Sequence, residues 1–207
     1  MGMWEDRVLP RLVDRALRAP DISALRARVC DGLVGDVLEL GIGSGLNLPY
    51  LPESVRSLAA VEPSDLGWSL SESGRSASSV PVERVGLDGQ SLSADDQSFD
   101  AVLSTFTLCT IPDAARALSE VRRVLRPGGA FHFLEHGLAP EAGVARWQAR
   151  FEPVQRRLAG GCHLTRDIAS LVRAAGLEID DLTVDYVSGL RVARPWTYCY
   201  VGRATPA

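Results

Sequence analysis

The stretch VLELGIGSGLNLPY, residues 37–50, limits what this chain can fold into more than any other. A short apolar run reads as a buried strand, and Gly41-Ile42-Gly43-Ser44-Gly45 follows it at once. A strand that ends in closely spaced glycines brings bare backbone up to whatever lies beyond its carboxyl end. Further β-branched or apolar runs, LAAVEP, VERVGL, FDAVLSTF and AFHFLEH, recur with helical or loop segments between them. That alternation predicts βαβ units and a parallel sheet. The last two runs, LEIDDLTVDYV and PWTYCYVGRA, have only a short connection. A short link cannot make a parallel crossover, so these two strands are expected as an antiparallel pair.

Helical spacing marks the rest. Residues 5–18, EDRVLPRLVDRALR, place Val8, Leu9, Leu12, Val13, Ala16 and Leu17 on one face, with acids in the first turn and Pro10 near the start. Arg7, Arg11, Arg15 and Arg18 recur along it and leave room for weak peripheral contact with anionic lipid, but Glu5, Asp6 and Asp14 dilute the stripe. A second helix is expected from Asp21, as N-cap, through Cys30. PDAARALSEVRRVLRPGG predicts a helix with Pro112 at its start and Pro127-Gly128-Gly129 as its stop. TRDIASLVRAA predicts another, capped by Thr165 and ended by Gly176. Nothing resembles an interdomain linker, so residues 1–207 read as one domain: N-terminal helices over 1–32, a ligand-binding core over 33–137, and lid or insert helices with the terminal strand pair over 138–207.

A formal net charge of −4 argues against a partner bound by neutralising phosphates, so no nucleic acid is expected. Cys30, Cys109, Cys162 and Cys199 lie far apart and form no CxxC pair, which suggests neither a zinc site nor a disulfide framework. A reducing, cytoplasmic setting fits. No apolar run approaches the ~18 residues of a membrane-spanning helix, and MGMWEDRVLPRL lacks the apolar core of a signal peptide.

What the glycine loop holds follows from what it lacks. A dinucleotide site needs GxGxxG, and here the third-glycine position is Leu46. The Lys-Ser/Thr ending of a triphosphate loop is missing too. The next strand ends in AVEPS, which puts the Glu62 carboxylate at a strand tip where it can accept both hydroxyls of a ribose. A ribose without pyrophosphate points to a nucleoside. In GLDGQSL after the third strand, Asp88 can accept from an adenine amino group while the Gly89 or Gln90 backbone donates to the ring.

These motifs, with SFDAVLSTFTL and VLRPGGAFHFLEH in order behind them, resemble the class I S-adenosylmethionine-dependent methyltransferases. FHFLEHG, GGCHLTRDI and ARPWTYCYVGRA are similar, more narrowly, to a methyltransferase-like subfamily that includes animal alkyl-thiol methyltransferases and bacterial relatives. The resemblance implies an α/β fold: a Rossmann-like seven-stranded sheet, mostly parallel with a reversed last strand, and helices on both faces. It implies S-adenosylmethionine as cofactor, with Gly41, Gly43 and Gly45 beside its methionine and ribose portions and Glu39 orienting the ammonium through water. Glu62 and Pro63 would hold the ribose, Asp88, Gly89 and Gln90 would surround adenine, and Thr105, Phe106 and Leu108 would line the sulfonium side. The implied reaction is methylation of a small-molecule acceptor, a thiol or an apolar metabolite, with O- or N-methylation of a phenol, quinol, amine or lipid head group as the alternative. A nicotinamide-dependent oxidoreductase and a non-catalytic cofactor-binding protein are the readings from other classes. Oligomeric state is open.

Methyl transfer from a sulfonium is an in-line displacement, for which alignment and desolvation suffice and no metal is required. The acceptor must lose a proton, and His136 beside Glu135 at the end of the fifth strand is the first candidate base, with His163 in GCHLTR the second. His132, inside the strand, is expected to be structural. Trp147, Phe151, Trp196 and Tyr198 are candidate walls for an apolar acceptor, and residues 140–160 a candidate lid.

Overall fold

The computed structural model describes residues 8–187 and 189–207. Seven strands form one sheet: β1 (Gly35–Leu40), β2 (Val55–Val61), β3 (Val82–Gly86), β4 (Phe99–Thr105), β5 (Leu125–His136), β6 (Leu177–Tyr186) and β7 (Tyr198–Pro206). Their order is β3-β2-β1-β4-β5-β7-β6. The first five pair in parallel, and β7 runs antiparallel to both β5 and β6, as the short β6–β7 link requires.

Strand alternation sends side chains to two cores. Leu38 and Leu40 of β1, Val102 of β4 and Phe131 and Phe133 of β5 pack on one face, against α5 (Ala114–Val124) and α7 (Ile168–Ala174). Val37, Ala101, Leu103 and Leu134 point to the other, against Val29 and Cys30 of α2 (Pro20–Cys30). His132, on that second side, is buried and donates through Nδ1 to Val29 O (2.9 Å). The remaining helices are α1 (Leu9–Ala16), α3 (Asp65–Leu70), α4 (Glu72–Ala77), α6 (Ala142–Leu158) and α8 (Arg194–Thr197).

Helix starts differ from the sequence reading. The first helix was expected over 5–18 and is seen at Leu9–Ala16; Glu5, Asp6 and Arg7 lie outside the described residues. Pro20 opens α2 behind Ala19, so Asp21 sits in the first turn, where its charge complements the helix dipole. α5 begins just after Pro112, with Asp113 as its cap accepting from Arg116 N (2.9 Å), and it ends at Val124, so Pro127-Gly128-Gly129 falls within β5 and is not the stop. Asp167, not Thr165, caps α7 by accepting from Ser170 N, while the Thr165 hydroxyl and N–H both donate to Glu152 on α6. Gln148 anchors α6: its amide donates to Gly137 O (2.9 Å) and Pro195 O (3.2 Å) and accepts from Ala139 N.

Gly202 of β7 stands opposite Phe133 of β5. A Cβ there would lie 2.5 Å from the Phe133 ring and 2.8 Å from Asp181 O. Gly202→Ala should therefore destabilise the fold by ~1–3 kcal/mol through overpacking, read as a lower urea midpoint. An unchanged midpoint would show that the ring can move aside.

Candidate functional site

The sheet order reverses between β1 and β4. In open α/β sheets the crevice at the strand carboxyl ends beside such a reversal is where ligands sit. A cleft of about 460 Å³ opens there, within the ~300–1,000 Å³ of small-ligand sites. Gly41, Gly43, Glu62, Pro63, Asp88, Gly89 and Gln90 line it from the loops after β1, β2 and β3. Thr105 at the end of β4 and Phe106, Thr107 and Thr110 after it line it, and Val13 and Asp14 of α1, Leu17 just after α1, and Ala159 and Gly160 beyond α6 close over it. A hollow of about 600 Å³ among Asp96, Arg122, Arg126 and Ala207 is at the opposite end of the strands and meets none of these loops.

The glycines are required by space. Gly41 has φ +69°, and a Cβ there would come 2.3 Å from the Thr107 hydroxyl. Gly43 has φ +53°, and the nearest atom to a Cβ would be 4.0 Å away, so its bare backbone faces open space. Its N–H donates to Glu62 Oε2 (2.7 Å), while Ser64 N–H donates to Oε1 (2.8 Å). Glu62 is thus held upright with one lone pair free on each oxygen. Burial lifts its pKa above the usual carboxylate range, against those two N–H groups and Arg84. Gln90 donates through its N–H and its amide to Asp88 Oδ1 (2.8 and 2.9 Å). Phe106 adopts φ +53°, a strained conformation for a non-glycine that turns the chain over the cleft.

Beneath the loop lies a buried polar network. Asn47 Nδ2 donates to Glu39 Oε1 (2.6 Å) and Thr105 Oγ1 (3.0 Å). Arg26, from α2, donates through one terminal nitrogen to Asn47 Oδ1 (2.7 Å) and Thr105 Oγ1 (3.0 Å). Glu39 Oε2 and Arg26 Nε are buried without a partner among the described residues. Sequence reasoning found Glu39 and Thr105 but missed Arg26 and Asn47. The available signal was an arginine three and four residues before Val29 and Cys30, that is, a charge on the buried face of a helix.

The three expected catalytic residues are elsewhere. Glu135 Oε1 accepts from Ser104 Oγ (2.8 Å) and from the N–H groups of Thr107 and Leu108 (3.0 Å each), so it shapes the loop after β4. His136 Nε2 lies 2.9 Å from Cys162 Sγ. Burial alone would lower the His136 pKa, but the bond to Cys162 raises it; bonding to Cys109 and then to His136 draws the Cys162 thiol down to about 4. His163 Nδ1 lies 3.1 Å from Glu152 Oε1. None of Glu135, His136 and His163 lines the cleft, and neither do Leu108 and Glu39, which are both wholly buried. Gly45 borders a neighbouring hollow instead. Phe151 stacks on Trp147 and meets Trp196 at a tilt, and Tyr198 packs edge-on against Tyr186 and Tyr200, all outside the cleft.

A family model described as a methyltransferase domain matches residues 38–133. Human thiol S-methyltransferase TMT1A is 33% identical over 170 residues, which cover 79% of this chain and 69% of that protein. Human thiol S-methyltransferase TMT1B is 36% identical over 137 residues, covering 63% of this chain and 55% of that protein, so the chain spans little more than half of it. The fold is shared with a solved S-adenosylmethionine-dependent methyltransferase from Mesorhizobium loti, at a TM-score of 0.66 and 19% identity over 90% of this chain and 98% of that one.

Enclosure of Glu39 penalises its charged form and raises its carboxyl from 4.5 to about 7. The folded chain then keeps a proton that the unfolded chain releases, so this group's stabilisation is complete below about pH 4.5 and lost as pH rises through about 7. The shift corresponds to about 3 kcal/mol. Glu39→Gln removes that titration. Between pH ~4.5 and pH ~8 the urea midpoint of the wild type should fall relative to the variant's; a constant difference would mean that Glu39 is ionised throughout.

Proposed function

Because the chain belongs to the class I S-adenosylmethionine-dependent methyltransferases, we propose that its reaction is S-methylation of a small thiol. The donor supplies, when bound, an electrophilic methyl group on a sulfonium. The residues present fit that molecule: Glu39 Oε2 is a buried acceptor without a partner, and Gly43 faces open space. Glu62 would accept the ribose hydroxyls beside Pro63, and Asp88, Gly89 and Gln90 would flank the adenine. Gly41, Gly43, Thr105 and Phe106 would border the methionine and sulfonium portions, with Glu39 balancing the ammonium. The chain's own work is to align the two partners and exclude water under α1.

One observation carries the sulfur reading beyond resemblance to thiol S-methyltransferases. Among the described residues that line the cleft there is no histidine or lysine. Its carboxylates are engaged: Asp14 with Arg18 and Ser44, Glu62 with Gly43 and Ser64, and Asp88 with Gln90. A phenol or amine acceptor leans on a general base. A thiol has pKa ~8.5 and supplies a few per cent of thiolate unaided near pH 7.

Methyl-labelled S-adenosylmethionine offered with a series of thiols, phenols and amines tests this. Label should pass to thiols, with kcat/KM rising ~10-fold per pH unit and levelling at each thiol's own pKa. A pH profile identical for all thiols would reveal an enzyme base, and transfer confined to phenols or amines would overturn the assignment.

A further inference from the structure

The fold gathers three groups that sequence spacing keeps far apart. Cys109 lies in the loop after β4, His136 ends β5, and Cys162 follows α6. Gly160 and Gly161, at φ +60° and +85°, turn the chain so that Cys162 faces inward, and His163 N–H donates to Cys109 O (2.8 Å), which fixes the two cysteine segments side by side. The two sulfurs and one imidazole nitrogen lie within 4.8 Å of one another, and all three residues are buried. His136 Nδ1 is also buried and makes no hydrogen bond to another residue. The absence of a CxxC pair therefore does not exclude a metal centre.

We propose that Cys109, His136 and Cys162 bind a thiophilic divalent cation, for which Zn²⁺ is the best match. Two sulfurs and an imidazole are soft and borderline donors that select Zn²⁺ over Mg²⁺ or Ca²⁺. With Zn–S about 2.3 Å and Zn–N about 2.0 Å, tetrahedral ligand atoms stand roughly 3.5–3.8 Å apart. The present grouping reaches that geometry if the 2.9 Å contact between His136 Nε2 and Cys162 Sγ opens by roughly half an ångström and the separations to Cys109 Sγ, which are within 4.8 Å, settle at that spacing. Two thiolates and a neutral imidazole around Zn²⁺ sum to zero charge, which suits a buried site, and binding releases the thiol protons. Three protein ligands leave a fourth position for a water or another small donor.

Such an ion would clamp together two segments that also wall the cleft, through Thr107 and Thr110 on one side and Ala159 and Gly160 on the other. Its role is then to set the wall's position. This inference is independent of the acceptor assigned above, because its test reads metal and not turnover.

The reduced full chain is stripped with a chelator and titrated with Zn²⁺ and, separately, Co²⁺. About one equivalent should bind, and the cobalt form should show thiolate-to-cobalt charge transfer in the near ultraviolet. Cys162→Ser should weaken binding by more than the ~10–100-fold that loss of an outer partner costs, while Cys199→Ala, on β7, should not. If Cys162→Ser fails to fold, the charge-transfer band of the wild type decides alone. No stoichiometric binding, a cobalt complex without the thiolate band, equal affinity in folded Cys162→Ser, or a Cys109–Cys162 disulfide that persists under reductant would each overturn the proposal.

Discussion

A carboxyl group that cannot reach water organises this molecule. Glu39 is wholly enclosed at the end of β1, and an unpaired acid there would cost several kcal/mol. Asn47 meets it from beyond the glycine loop and also meets Thr105 on β4, while Arg26 reaches both Asn47 and Thr105 from α2. The loop is thereby pinned at both ends, and Gly41 to Gly45 must arch between them. Glu135 does the same for the next loop by gathering Ser104 and the N–H groups of Thr107 and Leu108. Two buried acids on neighbouring parts of the sheet hold the two loops that form the cleft.

This arrangement leaves little for side-chain chemistry to do. The residues around the cleft are anchored by hydrogen bonds to one another, which favours orientation over proton transfer. Glu62 illustrates the economy: two backbone donors fix it, and what remains is a pair of acceptors aimed at whatever diol enters. For the proposed thiol acceptor that is sufficient, since the acceptor's own ionisation replaces a base.

The strands were legible because alternation of apolar runs and glycine turns is a local signal, and the antiparallel end of the sheet followed from the short link before β7. Glu62, Asp88 and the glycines were legible because their positions are set by the ends of those strands. Helix caps were not: Asp167 caps α7 in place of Thr165, which had been taken by Glu152, and Asp21 falls inside α2 behind Ala19. The polar residues beneath the loop were missed for a related reason: Arg26 and Asn47 acquire meaning only when α2, packed on β5 and β7, brings Arg26 to Asn47 and Thr105. Likewise His136 reads as a base at a strand tip until packing turns it toward Cys162 and away from the cleft.

The account stands on the cleft at the reversal of strand order as the seat of S-adenosylmethionine, and calorimetric titration of that molecule into the wild type and Glu62→Ala tests it most directly. One molecule should bind per wild-type chain, and the variant should bind at least ~10-fold more weakly, as loss of a charged hydrogen-bond acceptor demands. Equal affinity in the two proteins, or binding of NADH in place of S-adenosylmethionine, would contradict it.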